Sequence, residues 1–194
     1  MRELRTAVVA VIALTALLGF AYPFAMTGAA QVLFPGRADG SMVHPGGRIV
    51  GSRLIGQDFA EHPEYFQSRP SVTDYAPAAT AFNNQGPDQA ELAAQLKANV
   101  RSYLRREGPF TPRLTAARIP SDAVTSSASG VDPDISEANA RIQANRVAKQ
   151  RRLPLSHVLA VIDDHASRPL LGLAGDKSVN VLELNLALDK EAAR

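Results

Sequence analysis

Gln143 and Arg146 stand three residues apart, so on a helix they occupy adjacent positions of one face. There an amide and a planar guanidinium fork can hold the same partner through several directed hydrogen bonds. Upstream, Ser127 and Ser129 lie in the small-residue turn Ser126–Gly130, and Asp132-Pro133-Asp134 leads from that turn to Ser136. Ser127, Ser129, Asp132, Gln143 and Arg146 are therefore the candidate interaction or fold-specifying residues. Two readings follow. Gln143 and Arg146 tie their helix to the Ser126–Gly130 turn inside the domain, or they face a partner across a helix whose mostly alanine stripe permits close approach.

Other constellations lack the chemistry they would need. A phosphate-cradling Walker loop requires G-x-x-x-x-G-K-[ST], but in Gly172-Leu173-Ala174-Gly175-Asp176-Lys177-Ser178 an aspartate separates the last glycine from the lysine. The phosphorylatable Asp-Lys-Thr-Gly-Thr sequence is absent, as are a G-x-S-x-G elbow and an S-x-x-K pair. The four histidines, His44, His62, His157 and His165, make no zinc-binding array, and His165 beside Asp163 and Asp164 reads as a solvated helix end. Asp132-x-Asp134-x-Ser136 opens like a calcium loop, but Glu137 stands where glycine is needed and Gln143 where glutamate is needed. No catalytic, cofactor-binding or metal-ligating residue is assigned. With no cysteine, disulfides and thiol nucleophiles are excluded. A balance of 21 Lys+Arg against 19 Asp+Glu excludes a nucleic-acid binder working by bulk charge.

The elements that must position these residues begin with an anchor. Thr6 to Met26 carries no charge, and as a helix its 21 residues would extend about 31 Å, the thickness of a hydrocarbon core. Small residues at Met26–Gln31 also suit a signal-peptide cleavage site, but the apolar run exceeds the 7–15 residues of such leaders. Arg2 and Arg5 precede the run, and the next basic residue is Arg37. By the positive-inside rule residues 1–5 are cytoplasmic, 6–27 span the membrane, 28–47 form a Gly/Pro-punctuated tether, and 48–194 form one extracytoplasmic domain.

Within the domain the sequence predicts a strand over Arg48–Ile55, irregular chain over 58–87, and a helix from Asp88. That helix has an Asp88/Glu91 capping box, a stripe of Leu92, Leu96, Val100 and Leu104, and a stop at Glu107-Gly108-Pro109. Further expectations are a strand over Ile119–Thr125, a helix capped by Ser136 and running to about Gln150, and a short helix capped by Ser156. Last come a strand over Arg168–Leu173, a turn at Gly175-Asp176, and a final helix capped at Asn180. The mixture predicts a small α/β or α+β domain behind one transmembrane helix.

In order along the chain, Gly51–Gln57, Tyr65–Ser71, Pro120–Ser136, Gln143–Ala148 and Val179–Asn185 resemble segments of the C subunit family of the Kdp-type potassium-transporting ATPases. The resemblance spans nearly the whole chain. One departure is Thr80–Pro87, where many members have a Ser-Gly-Gly-Ser-Asn-like stretch before Gly-Pro. The resemblance implies a non-catalytic accessory subunit needed for assembly, a catalytic chaperone that raises the nucleotide affinity of the ATPase subunit. It implies three partners: the ATPase subunit, on which ATP acts, a channel-like potassium-translocating subunit, and a small membrane subunit. The lipid bilayer is a further expected contact, and nucleic acid is not. The competing expectation from the residues alone is a stand-alone anchored exported enzyme or solute-binding module. That reading requires convergent titratable groups in a pocket.

Overall fold

The structure, a computed structural model, describes residues 1–79, 84–167 and 177–192. The chain divides into two compact units, Met1–Ser52 and Arg53–Arg194.

The first unit is built on one apolar helix, Arg2–Leu33, of 32 residues with none buried. Its pieces are α1 (Arg2–Ala16), a π turn (Leu17–Ala21) and α2 (Tyr22–Leu33). The π turn has a local cause. Pro23 has no N–H for the ladder, and the Tyr22 N–H reaches back five residues to the Leu17 carbonyl. The helix outruns the uncharged stretch read from the sequence, and residues 28–33, expected in the tether, are helical. Ala29, Ala30, Gln31 and Leu33 all favour helix, and it ends where Pro35 disfavours helical backbone at Phe34, whose φ is −142°. A short helix, α3 (Pro35–Ala38), follows. Then β1 (Met42–Val43) pairs antiparallel with β2 (Gly51–Ser52), Met42 opposite Ser52 and Val43 opposite Gly51. The strand expected over Arg48–Ile55 is thus only two residues long, because β1 offers it no longer partner.

The second unit opens with irregular chain and then α4 (Ala90–Glu107). Asp88 does not cap it: the helix starts two residues later, with Gln89 extended at the cap and no side-chain bond there. Leu92, Leu96, Val100 and Leu104 are only half-buried, and the deep positions are Tyr103 and Glu107, one turn apart. The strand expected over Ile119–Thr125 is replaced by a 3-10 turn, Ser121–Ala123, which follows another at Ala116–Arg118. Pro120 fixes φ at −60° ahead of the second turn, and the Thr125 hydroxyl and N–H both bond the Ser121 carbonyl, closing it.

The strand β3 (Asp134–Ser136) pairs antiparallel with β4 (Ser178–Asn180), and Ile135 and Val179 face the core opposite each other. Each strand runs straight into a helix. Ser136 caps α5 (Glu137–Arg151), accepting from the Asn139 N–H at 3.1 Å. Asn180 caps α7 (Val181–Ala192), accepting from the Glu183 N–H at 3.1 Å. Between them, α6 (Leu155–His165) starts after Pro154, not after Ser156, because Pro154 already takes the cap position. Ala140, Ala144, Val147, Val158, Ile162, Leu184 and Leu188 close the main core over the β3–β4 pair, and Phe66 fills it from the irregular chain. The expected strand over Arg168–Leu173, the Gly175-Asp176 turn and the glycines of the Walker-like stretch lie outside the described residues. Mixed helix and sheet behind one long apolar helix is the architecture, as the sequence predicts.

Candidate functional site

The alanine stripe of α5 meets the apolar core, and its neighbouring face is polar and equally buried. Asn139, Gln143 and Arg146 are each 1% exposed. A buried guanidinium costs several kcal/mol unless its donors are met and its charge is paired. Both conditions hold. The Arg146 Nε lies 3.1 Å from each Glu107 carboxylate oxygen, and Glu107 also accepts from the Arg106 Nε at 2.8 Å. Arg146 Nη1 donates to the carbonyls of Pro63 and of Tyr65, the latter at 2.9 Å, and Nη2 donates to Gln143 Oε1 at 3.0 Å. Burial lowers the Arg146 pKa, and Glu107 partly offsets that. The group stays charged, as arginine does in proteins.

These side chains act on a stretch of backbone that has no strand or helix to satisfy it. Gln143 exchanges two bonds with Gln67, accepting from its N–H at 2.8 Å and donating to its carbonyl at 3.1 Å. Asn185 of α7 does the same for Phe66, at 2.8 Å and 3.0 Å. Arg151 donates to the Glu64 carbonyl at 2.8 Å. Residues 63–67 thus receive from side chains the hydrogen bonds that a sheet would otherwise supply. Asn139 carries the network onward. Its Oδ1 accepts from the Tyr103 hydroxyl at 2.8 Å and from Gln143 at 3.0 Å, and its Nδ2 donates to Asp122 at 2.9 Å. Asp122 in turn accepts from the N–H and hydroxyl of Ser136, so the α5 cap belongs to the same network. Burial, with Glu107 second, pushes the Tyr103 pKa up, holding its hydroxyl as a donor.

A second cluster holds the serine turn. The Arg69 guanidinium pairs with Asp132 at 2.8 Å and donates to the Ser126 carbonyl at 3.3 Å. Ser127 Oγ accepts from the Gly130 N–H, and Ser129 Oγ from the Val131 N–H. Asp132 Oδ1 accepts from the Asp134 N–H, a local turn that aims the chain into β3. Gly56 seals this corner: a Cβ there would stand 2.5 Å from the Asp132 carbonyl oxygen.

The structure therefore unites Gln143 with Arg146, and Asp132 with the Ser127/Ser129 turn, but it keeps the two groups apart. The residues that Arg146 holds are Glu107, Pro63 and Tyr65, and the residue that holds the turn is Arg69. Sequence reasoning missed Glu107, Gln67, Arg69, Asp122, Asn139 and Asn185. Gln67, Arg69, Asp122 and Asn185 lie inside the segments that carry the family resemblance, a usable signal. Glu107, read only as a helix stop, carries none.

Beside the network, between α4 and the irregular chain, lies an open cleft of about 210 Å3 lined in part by Asp58, Tyr75, Asn99, Ser102 and Arg106. Burial, above all, pushes the Tyr75 pKa up to about 12. Tyr75 and Tyr103, which also lines the cleft, are thus both moved away from the range where a general base works near neutral pH.

One apolar helix long enough to span a bilayer, followed by a small mixed domain whose buried polar side chains are largely spent on its own backbone, is the layout of a single-span protein carrying one small domain. The family profile described as KdpC, the c chain of K+-transporting ATPase, matches residues 4–190. A protein named potassium-transporting ATPase KdpC subunit from Caulobacter vibrioides is 50% identical over 190 residues, covering 96% of this chain and 92% of the relative. Proteins of the same name from Cereibacter sphaeroides and Bradyrhizobium diazoefficiens are 46% and 43% identical, each alignment covering both chains in full. The chain belongs to the KdpC family.

Proposed function

We propose that this chain is a non-catalytic accessory subunit of an ATP-driven potassium uptake complex. The observation that carries this reading is the family match along residues 4–190, reinforced by full-length relatives that bear the subunit's name. The N-terminus is cytoplasmic, Arg2–Leu33 anchors the chain, and the domain lies outside. The domain serves assembly with the ATPase subunit, the channel-like subunit and the small membrane subunit, and it acts as a catalytic chaperone for nucleotide use by the ATPase subunit. Two features support a scaffold role. The deeply buried polar groups are committed to internal bonds, and the tyrosines at the cleft have raised pKa values. Gln143 and Arg146 accordingly act as fold-specifying residues, and Ser127, Ser129 and Asp132 shape the turn that enters β3.

Co-purification of the full chain from mild detergent tests the reading. Elution with three other membrane chains is the expected result. A chain that elutes alone and turns over a substrate by itself overturns it in favour of an exported enzyme. For the topology, a cysteine placed by Ser102→Cys should react with an impermeant thiol reagent in intact spheroplasts, and labelling only after lysis reverses the orientation.

A further inference from the structure

Large apolar side chains are exposed very unequally outside the spanning helix. Among the described residues of the second unit, they are Leu54 and Leu155. In the short stretch of the first unit beyond α2 there are four, Phe34, Met42, Ile49 and Val50, each 38–55% exposed.

This stretch is folded and belongs to the same compact unit as the helix. The Gln31 side chain donates to Asp39 at 3.0 Å, the Ser41 N–H bonds the Gly36 carbonyl, and the Ser52 hydroxyl bonds the Gly40 carbonyl at 2.7 Å. The β1–β2 register sets Met42 opposite Ser52, and the exposed Ile49 and Val50 lead directly into β2. A two-stranded hairpin of this size is marginal in water and needs an apolar surface against it.

Helix length says where that surface is. Thirty-two residues at 1.5 Å make about 48 Å, more than the roughly 30 Å of hydrocarbon and close to the 40–45 Å of a bilayer with its headgroups. With Arg2 and Arg5 in water at one surface, the other end of the helix emerges at the opposite headgroup layer. The first charge past that end is Arg37, whose guanidinium lies 5.9 Å from the centre of the Phe34 ring, and Arg48 directly precedes Ile49. Exposed apolar side chains interleaved with arginines form the pattern that settles at a lipid–water boundary, apolar groups inward and cations at phosphate level.

We propose that the Met42–Ser52 hairpin, together with Phe34, rests in the headgroup layer where the helix leaves the bilayer, with Met42, Ile49 and Val50 inserted shallowly and Arg37 and Arg48 against lipid phosphates. The inference rests on the membrane anchoring of the proposed function but not on membership of a complex, so the two can fail separately.

The absence of native cysteine makes the test clean. Full-length Met42→Cys and Ile49→Cys chains, each carrying an environment-sensitive fluorophore, are reconstituted alone into phosphatidylcholine/phosphatidylglycerol vesicles. Asp164→Cys, an exposed site on α6, is the aqueous reference. At positions 42 and 49 aqueous iodide should quench several-fold less than at 164, and nitroxides near the lipid headgroup should quench more than nitroxides deep in the acyl chain. Equal iodide quenching at all three positions overturns the proposal. Shielding absent in vesicles but present after assembly with other membrane chains also overturns it, because a protein then covers the hairpin.

Discussion

The 32-residue helix Arg2–Leu33 buries nothing, whereas α5, fifteen residues long, buries seven, and three of those are Asn139, Gln143 and Arg146. By side-chain type alone the order would be reversed. The long helix is dominated by Val, Leu, Ile, Phe and Ala and packs none of its sides inside the structure, a combination that suits hydrocarbon as its solvent. The α5 helix combines alanine with strongly polar groups, and it is the most enclosed helix among those described. Polarity therefore does not mark the surface in this protein. A polar side chain is buried where an irregular backbone needs donors and acceptors, and residues 63–67 create that need.

The sharpest way to break this contrast is to remove the buried cation. Arg146→Ala leaves the buried Glu107 carboxylate with Arg106 as its remaining cation and takes the Arg146 donor from the carbonyls of Pro63 and Tyr65, and it should destabilise the domain by about 3–5 kcal/mol in urea unfolding of the full chain in detergent. Arg146→Lys should restore little, because an ammonium cannot reproduce the planar fork. An unchanged midpoint would show that the network is incidental to stability.

The converse substitution places a cation in the anchor. Leu14→Arg should disfavour insertion by about 2.5–3.5 kcal/mol while leaving the urea midpoint of the domain unaltered. Carbonate extraction of membranes reads the first effect, and full membrane retention would sink the idea that the helix lies in lipid.

A smaller effect is expected from Asn185→Leu. The apolar replacement fits the core but leaves the Phe66 N–H and carbonyl without partners, a loss of about 1–3 kcal/mol. If the variant is as stable as the parent, side-chain stitching of the 63–67 backbone is not what holds it.

The smallest expected effect is a pH dependence. Burial raises the Asp134 pKa above the ordinary 3.8, against the lowering bonds from Ser178 and Asn180. The folded state then holds this proton at pH values where the unfolded chain has lost it. Stability falls as pH rises through that window, and the penalty persists above it. Relative to the parent, Asp134→Asn should gain stability as pH rises through and above the ordinary carboxylate range in matched urea titrations. A constant difference across that range would show that the carboxyl is not desolvated.

Features governed by neighbours in the chain were legible in the sequence. The caps at Ser136 and Asn180, the extent of α5, the final helix and the apolar anchor all follow from a few adjacent residues. Other local signals misled because a nearby residue competed. Pro154 displaced Ser156 as the α6 cap, Gln89 displaced Asp88 at α4, and Pro120 turned a β-rich stretch into a 3-10 turn. The helix ran on through 28–33 because nothing before Pro35 stops it.

Composition and spacing by themselves determined that the uncharged run Thr6–Met26 is an apolar helix, that a mixed domain follows, and that Gln143 and Arg146 share a helical face. These are properties of a window of residues, set by backbone sterics and by transfer from water. Only the tertiary structure decided what that face touches. Glu107 is 39 residues from Arg146, and Pro63 is 83 away, and no periodicity encodes which loop a guanidinium will meet. The choice is made when the apolar core closes, because closure removes water from those carbonyls and leaves the buried side chains as the donors within reach.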